Sequence, residues 1–495
     1  MKKRVLCISL LAAFLTLALA CAAFAAELPF KSMKMVDGMG SYLYEAEYEP
    51  TTEESYAMLN MICKSLFGGE PLSAPGCTSV RKDNLYGRNF DYFCDKYADI
   101  IVRTKAGNGH YASIMLDGGM LGRVLGNTTG NLLCTKDRLD AILAGETTPE
   151  EQVEAMWLTY LPYVAMDGFN EKGVVCNINV AQSGKGVGLT TGTNPEAEKE
   201  MYVALLPRYI LDHCASAKEA VEEIQKFNVW ASVTEESPQT EYHIMIADAK
   251  NTYIVEFRDN KMLVREISDK PYMTNFNLLL GEDKMVDFDE KGCVVRSTIS
   301  NYTGSEGDRG NGHGVERYDI IAKGYASVNS KDSLRVLLDK ASYGKLYYDP
   351  EARFDELVAG NTEMFVLQSA IKAIKPEFEF GLVVWGLTLK AATENAAELC
   401  DEYDLCTLLP LVAEAADADR TNIMPIHTIH SCIYDISAGK LWIKSQELGD
   451  KEKGAWSKEY CLSPKGSSSS SGCNAGFGAL ALFGVLGLFY RRNKQ

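Results

Sequence analysis

The chain has 495 residues, of which 46% are hydrophobic and 24% charged, an ordinary globular composition with length enough for a large core. Its formal net charge of −17 excludes the basic surface that neutralising nucleic-acid phosphates requires, and no DNA- or RNA-binding motif occurs. Its 14 cysteines form neither a CxxC knuckle nor part of a zinc ribbon, and no HExxH occurs, so no metal or organic cofactor is indicated.

The first residues read as a secretory signal. Lys2, Lys3 and Arg4 precede the apolar run Val5 to Ala20, and Ala23 to Ala26 offer small residues for cleavage, so residues 1–26 would leave. A rival reading is lipid attachment at Cys21, after Ala18-Leu19-Ala20. Export implies a disulfide-permissive compartment. The spacings nevertheless show no dense framework. Cys7 and Cys21 would leave with the signal and Cys473 sits in the tail; Cys400 and Cys406 could pair or stay buried free thiols, and the architecture should not depend on disulfides.

Within residues 27–76, Glu53 to Leu66 has a helical apolar face: Tyr56, Leu59, Ile62, Cys63 and Leu66. Gly68-Gly69 and the stretch Pro71 to Pro75 then break regular structure, ending at Gly76. The stretch Gly76 to Tyr92, GCTSVRKDNLYGRNFDY, reads as a β-hairpin, with Ser79-Val80 and Leu85-Tyr86 joined by the polar turn Arg81 to Asn84. Centring that turn near Asp83 sets Cys77 opposite Arg88 or Asn89, with Asp91 just beyond.

Further strands are expected at Ile100 to Val102, Tyr111 to Leu116 and Val174 to Val180, and helices at Arg138 to Leu143 and Pro149 to Leu161. In DGFNEKGVVCNINV, Asp167-Gly168 and Glu171 to Gly173 read as turns. Asn177 and Asn179 then share one face of a strand, and composition alone favours an exposed face. Tyr202 to Cys214 and Ala217 to Lys226 read as helices, and His243 to Phe257 as a hairpin. Asn275 falls at a strand end in YMTNFN, Arg317 opens a helix in HGVERYDII, and Ser333 to Leu338 continues as a helix. HTIHSCIYDISAGKLWI, His427 to Ile443, reads as strand, turn, strand. These mixed, mostly antiparallel runs argue for an α+β layered domain. A polar Gly/Ser linker, 449–472, follows. Last come SGCNAG, an apolar run from Ala475 to Tyr490, about 24 Å long if helical, and Arg491-Arg492. Residues 473–495 therefore read as a sorting or membrane-retention segment, the chain's expected membrane contact.

The chain has six histidines, and none stands in a Cys-His protease context. His427 and His430, three apart on a strand, should point to opposite faces and read as structural. A cysteine nucleophile without a histidine base can use its own α-amino group, which titrates near about 8, provided that it is the first residue. That requires a cut between Gly76 and Cys77, and makes residues 27–76 a propeptide.

CTSV followed by GRNFDY closely resembles the mature start of choloylglycine hydrolase-like enzymes, the linear amide C–N hydrolases. These include bile salt hydrolases and penicillin V acylases, with acid ceramidase-like amidases as relatives. DGFNEKG, MTNFN, Gly314-x-x-Arg317-Tyr318 and TIHSCIYD follow in the family's order, so the likeness runs from about Cys77 to Tyr434. It implies a four-layer αββα N-terminal-nucleophile hydrolase sandwich over 77–448. Cys77 matches the nucleophile, and Arg88 and Asp91 match the Arg beside the thiol and the Asp that holds the amine. Asn275 matches the amine-orienting asparagine and Arg317 the later supporting arginine, with Arg296 as alternative. The oxyanion asparagine falls on Asn179, with Asn177 in reserve because the spacing after DGFNEKG differs by about one residue. The C-terminal SGCNAG segment resembles the tripartite sorting tails of exported bacterial proteins of the Synergistetes lineage, which implies an envelope location.

The leading expectation is an exported amidase acting on a small N-acyl amide, such as a conjugated bile salt, penicillin V or an N-acyl amino acid. Alternatives are a Cys-type dipeptidase of the same fold, an acyltransferase, and an inactive surface protein. The oligomeric state is not legible.

Overall fold

The structure, a computed structural model, describes residues 33–36, 43–64, 76–93, 98–117, 136–145, 156–164, 166–181, 189, 192–231, 242–299, 314–342, 426–445 and 456–462. The signal segment, the proline-rich loop before Gly76, the Cys400 and Cys406 pair, and the C-terminal sorting segment lie outside the described residues. Among the described residues, no helix is long and apolar enough to cross a membrane, and seven cysteines are all free thiols.

Strands β1 (Lys34–Met35) and β2 (Leu43–Tyr48) come first, then helix α1 (Glu53–Ile62). Thr52 starts α1: its hydroxyl accepts from the Ser55 N–H, and Glu53 and Glu54 sit in the first turn, where the helix end favours negative charge. β3 (Gly76–Lys82) and β4 (Leu85–Phe93) form the expected hairpin. Next come β5 (Asp99–Thr104), β6 (Ser113–Leu116), α2 (Lys136–Ala144), the short α3 (Leu161–Val164), β7 (Asp167–Asn170) and β8 (Val175–Val180). β9 (Lys199–Tyr202), α4 (Leu206–His213), α5 (Ala217–Ile224) and β10 (Phe227–Trp230) follow. β11 (Tyr242–Ala247), β12 (Thr252–Arg258), β13 (Lys261–Glu266) and β14 (Tyr272–Met273) lead to α6 (Val315–Tyr325) and α7 (Lys331–Ala341). β15 (Ile426–Asp435), β16 (Lys440–Ser445) and β17 (Tyr460–Cys461) close the described chain.

Two sheets result. One has nine strands in the order β1-β2-β5-β6-β7-β8-β11-β12-β13, the other six in the order β14-β3-β4-β15-β16-β17. α4 and α5 cover the outer face of the first sheet, and α6 and α7 the outer face of the second. Alternation along each strand divides the core. In β8, Cys176, Ile178 and Val180 pack with the α4–α5 side, whereas Val175 packs between the sheets. The fold is thus α+β, with helix, sheet, sheet and helix layers. Residues upstream of Cys77 belong to it: β2 pairs in parallel with β5, and Tyr44, Ala46, Tyr56 and Leu59 are core residues.

Three local expectations need correction. The hairpin turn spans only Asp83-Asn84, with Asp83 in the left-handed region at φ 53°. The register therefore slips by one, and Cys77 lies opposite Phe90, with Arg88 diagonal to it on the same face. Asp167-Gly168 is strand rather than turn. A Cβ at Gly168 would meet the Ile114 carbonyl oxygen at 2.4 Å, so this glycine allows β6 and β7 to approach. Asn177 and Asn179 are fully buried, on the face that looks toward the second sheet.

Candidate active site

Cys77 sits at the start of β3, fully buried between the sheets. Its Sγ is 3.5 Å from Arg88 Nη2, which also donates to the Ile178 carbonyl at 2.9 Å and to Asn179 Oδ1 at 3.2 Å. Arg88 Nη1 donates to Asp167 Oδ2. Burial pushes the Cys77 thiol up, and the Asp91 carboxylate adds to this, while Arg88 and the Asp91 backbone N–H pull the other way. Burial wins, so the sulfur is a thiol at neutral pH.

The backbone N–H of Cys77 donates to Asn275 Oδ1 at 2.6 Å. That oxygen also accepts from Arg317 Nη2 at 2.8 Å, and Asn275 Nδ2 donates to the Val180 carbonyl at 2.6 Å. Arg317 Nη1 donates to the Cys77 carbonyl at 2.6 Å and to Thr78 Oγ1 at 3.0 Å, and lies 3.5 Å from Asp91 Oδ2. Gly314 makes this close approach possible. With φ 87° it begins α6, and a Cβ there would stand 2.9 Å from both Arg317 Nη2 and Thr274 Oγ1. The spacing Gly314-x-x-Arg317 is thus a packing requirement. Thr428 Oγ1 donates to Asp91 Oδ1 at 2.6 Å.

Cys77, Arg88, Asp91, Asn179, Asn275 and Arg317 are therefore gathered around one backbone junction. Arg296 is elsewhere, paired with Asp319 at 2.6 Å and 38% exposed. Asn177 stands one step back: it accepts from Tyr86 OH and donates to Asn179 Oδ1 at 2.8 Å.

Other members were not legible. Asp167 receives Arg88, Tyr434 OH and His430 Nε2, the last at 3.4 Å, and is held at about 2: burial raises it, but Arg88 and His430 outweigh burial. His430 Nδ1 faces Asp99 Oδ2 at 2.9 Å. Burial lowers His430, yet the two carboxylates raise it to about 9, so it is an imidazolium at neutral pH and no base for the thiol. A β-bulge between Thr428 and His430 makes this arrangement possible. It sets Thr428 opposite Asp91 and His430 opposite Phe90, on different faces although they are two apart, so simple alternation fails here. The His427 side chain lies outside the described residues. His243 Nε2 donates to the Thr274 carbonyl at 2.7 Å, with Nδ1 3.2 Å from Glu256, whose carboxylate accepts the Leu278 and Leu279 N–H groups. This braces the turn that carries Asn275.

Residues 158–308 match the family model of acyl-coenzyme A:6-aminopenicillanic acid acyl-transferase. That stretch is similar to this acyl-transferase family. No curated protein matches the chain by sequence. Among solved structures, penicillin V acylase from Agrobacterium tumefaciens is 13% identical with a TM-score of 0.35, covering 75% of this chain and 82% of its own. Two variants of conjugated bile acid hydrolase from Clostridium perfringens also match. One is 13% identical with a TM-score of 0.34, over 80% of this chain and 100% of its own. The other is 12% identical with a TM-score of 0.35, over 81% and 99%.

Proposed function

We propose that the chain is a cysteine amide hydrolase in which Cys77 acts as the N-terminal residue after the Gly76–Cys77 bond is cut. The observation that carries this reading is the Cys77 backbone nitrogen, held 2.6 Å from Asn275 Oδ1 by a side chain that Arg317 also fixes. Such a holder suits an amine that must stay beside its own thiol.

The α-amine takes the thiol proton, and the sulfur attacks the carbonyl carbon of a linear amide. Asn179 Nδ2, which donates to the Thr274 carbonyl at a long 3.3 Å, turns to the developing oxyanion with a backbone N–H as second donor. The C–N bond breaks and the amine leaves with the proton from the α-ammonium. Water, deprotonated by the amine, then hydrolyses the acyl-thioester. The substrate class is an N-acyl compound, such as a conjugated bile salt, penicillin V or an N-acyl amino acid. The acyl-transferase match over residues 158–308 favours one second reading, in which an amine replaces water as the acceptor. The location proposed is the cell envelope, on the strength of the signal-like and tail segments.

The test is intact-mass analysis of the purified protein with a thiol-directed acyl probe. A mature N-terminus at Cys77, labelled by the probe and lost in Cys77→Ala, is expected. An uncut, unlabelled protein defeats the proposal. A panel of acyl amides and dipeptides, with and without added amine, separates hydrolase, dipeptidase and transferase.

A further inference from the structure

A second constellation lies away from Cys77, where α1, the turn at Gly107–His110 and the end of α4 meet. His110 Nε2 is 3.4 Å from Glu53 Oε1, and His213 Nε2 is 2.6 Å from the same oxygen. The ligand atoms of all three residues lie within 4.8 Å of one another.

The outer ring nitrogens fix the tautomers. His213 Nδ1 faces the Tyr209 carbonyl at 2.9 Å, a pure acceptor, so Nδ1 carries the proton. His110 Nδ1 is 2.8 Å from Thr51 Oγ1. Thr51 gives its one proton to Asp212 Oδ2, so it can only accept from the imidazole. Nδ1 therefore carries a proton in each ring, and both Nε2 atoms turn inward toward Glu53. Two ring nitrogens and a carboxylate oxygen converge there, a place for a cation, whether a proton on an imidazole or a metal ion.

We propose that this cation is a divalent zinc-class metal bound by Glu53 Oε1, His110 Nε2 and His213 Nε2. Two imidazoles and one carboxylate form a zinc donor set, each second nitrogen anchored on an oxygen. Tetrahedral zinc bonds of about 2.0–2.1 Å place ligand atoms about 3.3 Å apart. The 3.4 Å pair already fits, and the 2.6 Å pair opens by less than 1 Å, roughly the shift a mobile Glu side chain supplies. Glu53 is 56% exposed and His213 20%, which leaves an entry path and room for a water as fourth ligand. The other His-carboxylate cluster, Asp167, His430 and Cys432, needs no metal, because Arg88 already supplies its cation. Glu53 belongs to the segment before Cys77 and both histidines to the body after it, so the metal would clamp the two together.

The experiment is zinc content by plasma mass spectrometry on the full chain after dialysis at pH 7.5, with cobalt(II) substitution read by visible absorption. About one zinc per chain is expected, with equal retention in Cys77→Ala, so a failure of the cysteine proposal leaves this one standing. Glu53→Gln and His213→Gln should lose the metal while keeping the far-UV dichroism of the parent. Thr51→Val, which removes the anchor of His110, should weaken binding about 10–100-fold. No zinc in the parent, or equal zinc in Glu53→Gln and His213→Gln, overturns the site. Two imidazoliums seen by NMR at pH 7.5 in the presence of zinc overturn it equally.

Discussion

Arg88 serves four acceptors at once: Asp167, the Ile178 carbonyl, Asn179 and the Cys77 sulfur. Only a planar fork can do this, and a lysine ammonium cannot span the set. Arg88→Lys should therefore keep the charge yet move the pH profile of Cys77 alkylation upward. Arg88→Met leaves Asp167 buried beside His430 without its main partner. It should cost about 3–5 kcal/mol, measured by urea unfolding in a Cys77→Ala background. His430 adds a pH dependence with a definite sign. Its folded value of about 9 lies above the ordinary histidine value of about 6.5, so its stabilisation is complete below that value and is lost as pH rises through about 9. The melting temperature of Cys77→Ala should fall between about pH 6.5 and 9 and level off above that, and His430→Gln, already less stable at pH 7, should lack that component. Arg88 was legible because a motif surrounds it. Asp167 was not, since a lone Asp-Gly pair reads as a turn unless the backbone crowding at Gly168 is known.

At the scale of elements, the β3–β4 hairpin was visible from its alternating residues and polar turn, but its register was not. Register depends on whether the loop holds two residues or three, and Arg81 to Asn84 are all polar enough for either. Asp83 holds the two-residue answer by adopting the left-handed region, so Asp83→Val should destabilise by about 1–2 kcal/mol, seen in chemical denaturation. Gly168→Ala should cost more, because its Cβ meets backbone rather than a movable side chain. Its soluble yield and melting temperature should both fall. The bulge in β15 was equally hidden: TIHSCIYD gives no glycine or proline to mark it.

At the scale of the whole molecule, the segment before Cys77 read as a part to be discarded, yet it supplies β1, β2 and α1. β2 is hydrogen-bonded along its length to β5, and Tyr44, Tyr56 and Leu59 are buried against the body. Discarding it would strip an edge and expose apolar surface. A cut at Gly76 should thus yield two fragments that co-elute in native gel filtration and separate only in denaturant. Sequence periodicity cannot disclose this, because a parallel strand pair is made by residues about fifty-six positions apart, as in Leu43 with Asp99.

The row of carboxylates and cations behind Cys77 has a consequence for how the uncut and cut chains differ. Asp99, His430, Asp167 and Arg88 alternate in sign, and Asp91 stands beside Arg317, so the buried set is electrically neutral as a whole. Ionising the thiol of the uncut chain would leave one uncancelled negative charge in a dry interior. Once an α-amine exists at Cys77, the same proton only moves from sulfur to nitrogen, and the interior stays neutral with a short dipole in place of a monopole. Reactivity would then be switched on by the cut itself, without any rearrangement of the surrounding side chains. Iodoacetamide should label the processed protein at neutral pH well before it labels an uncut form that retains Cys77.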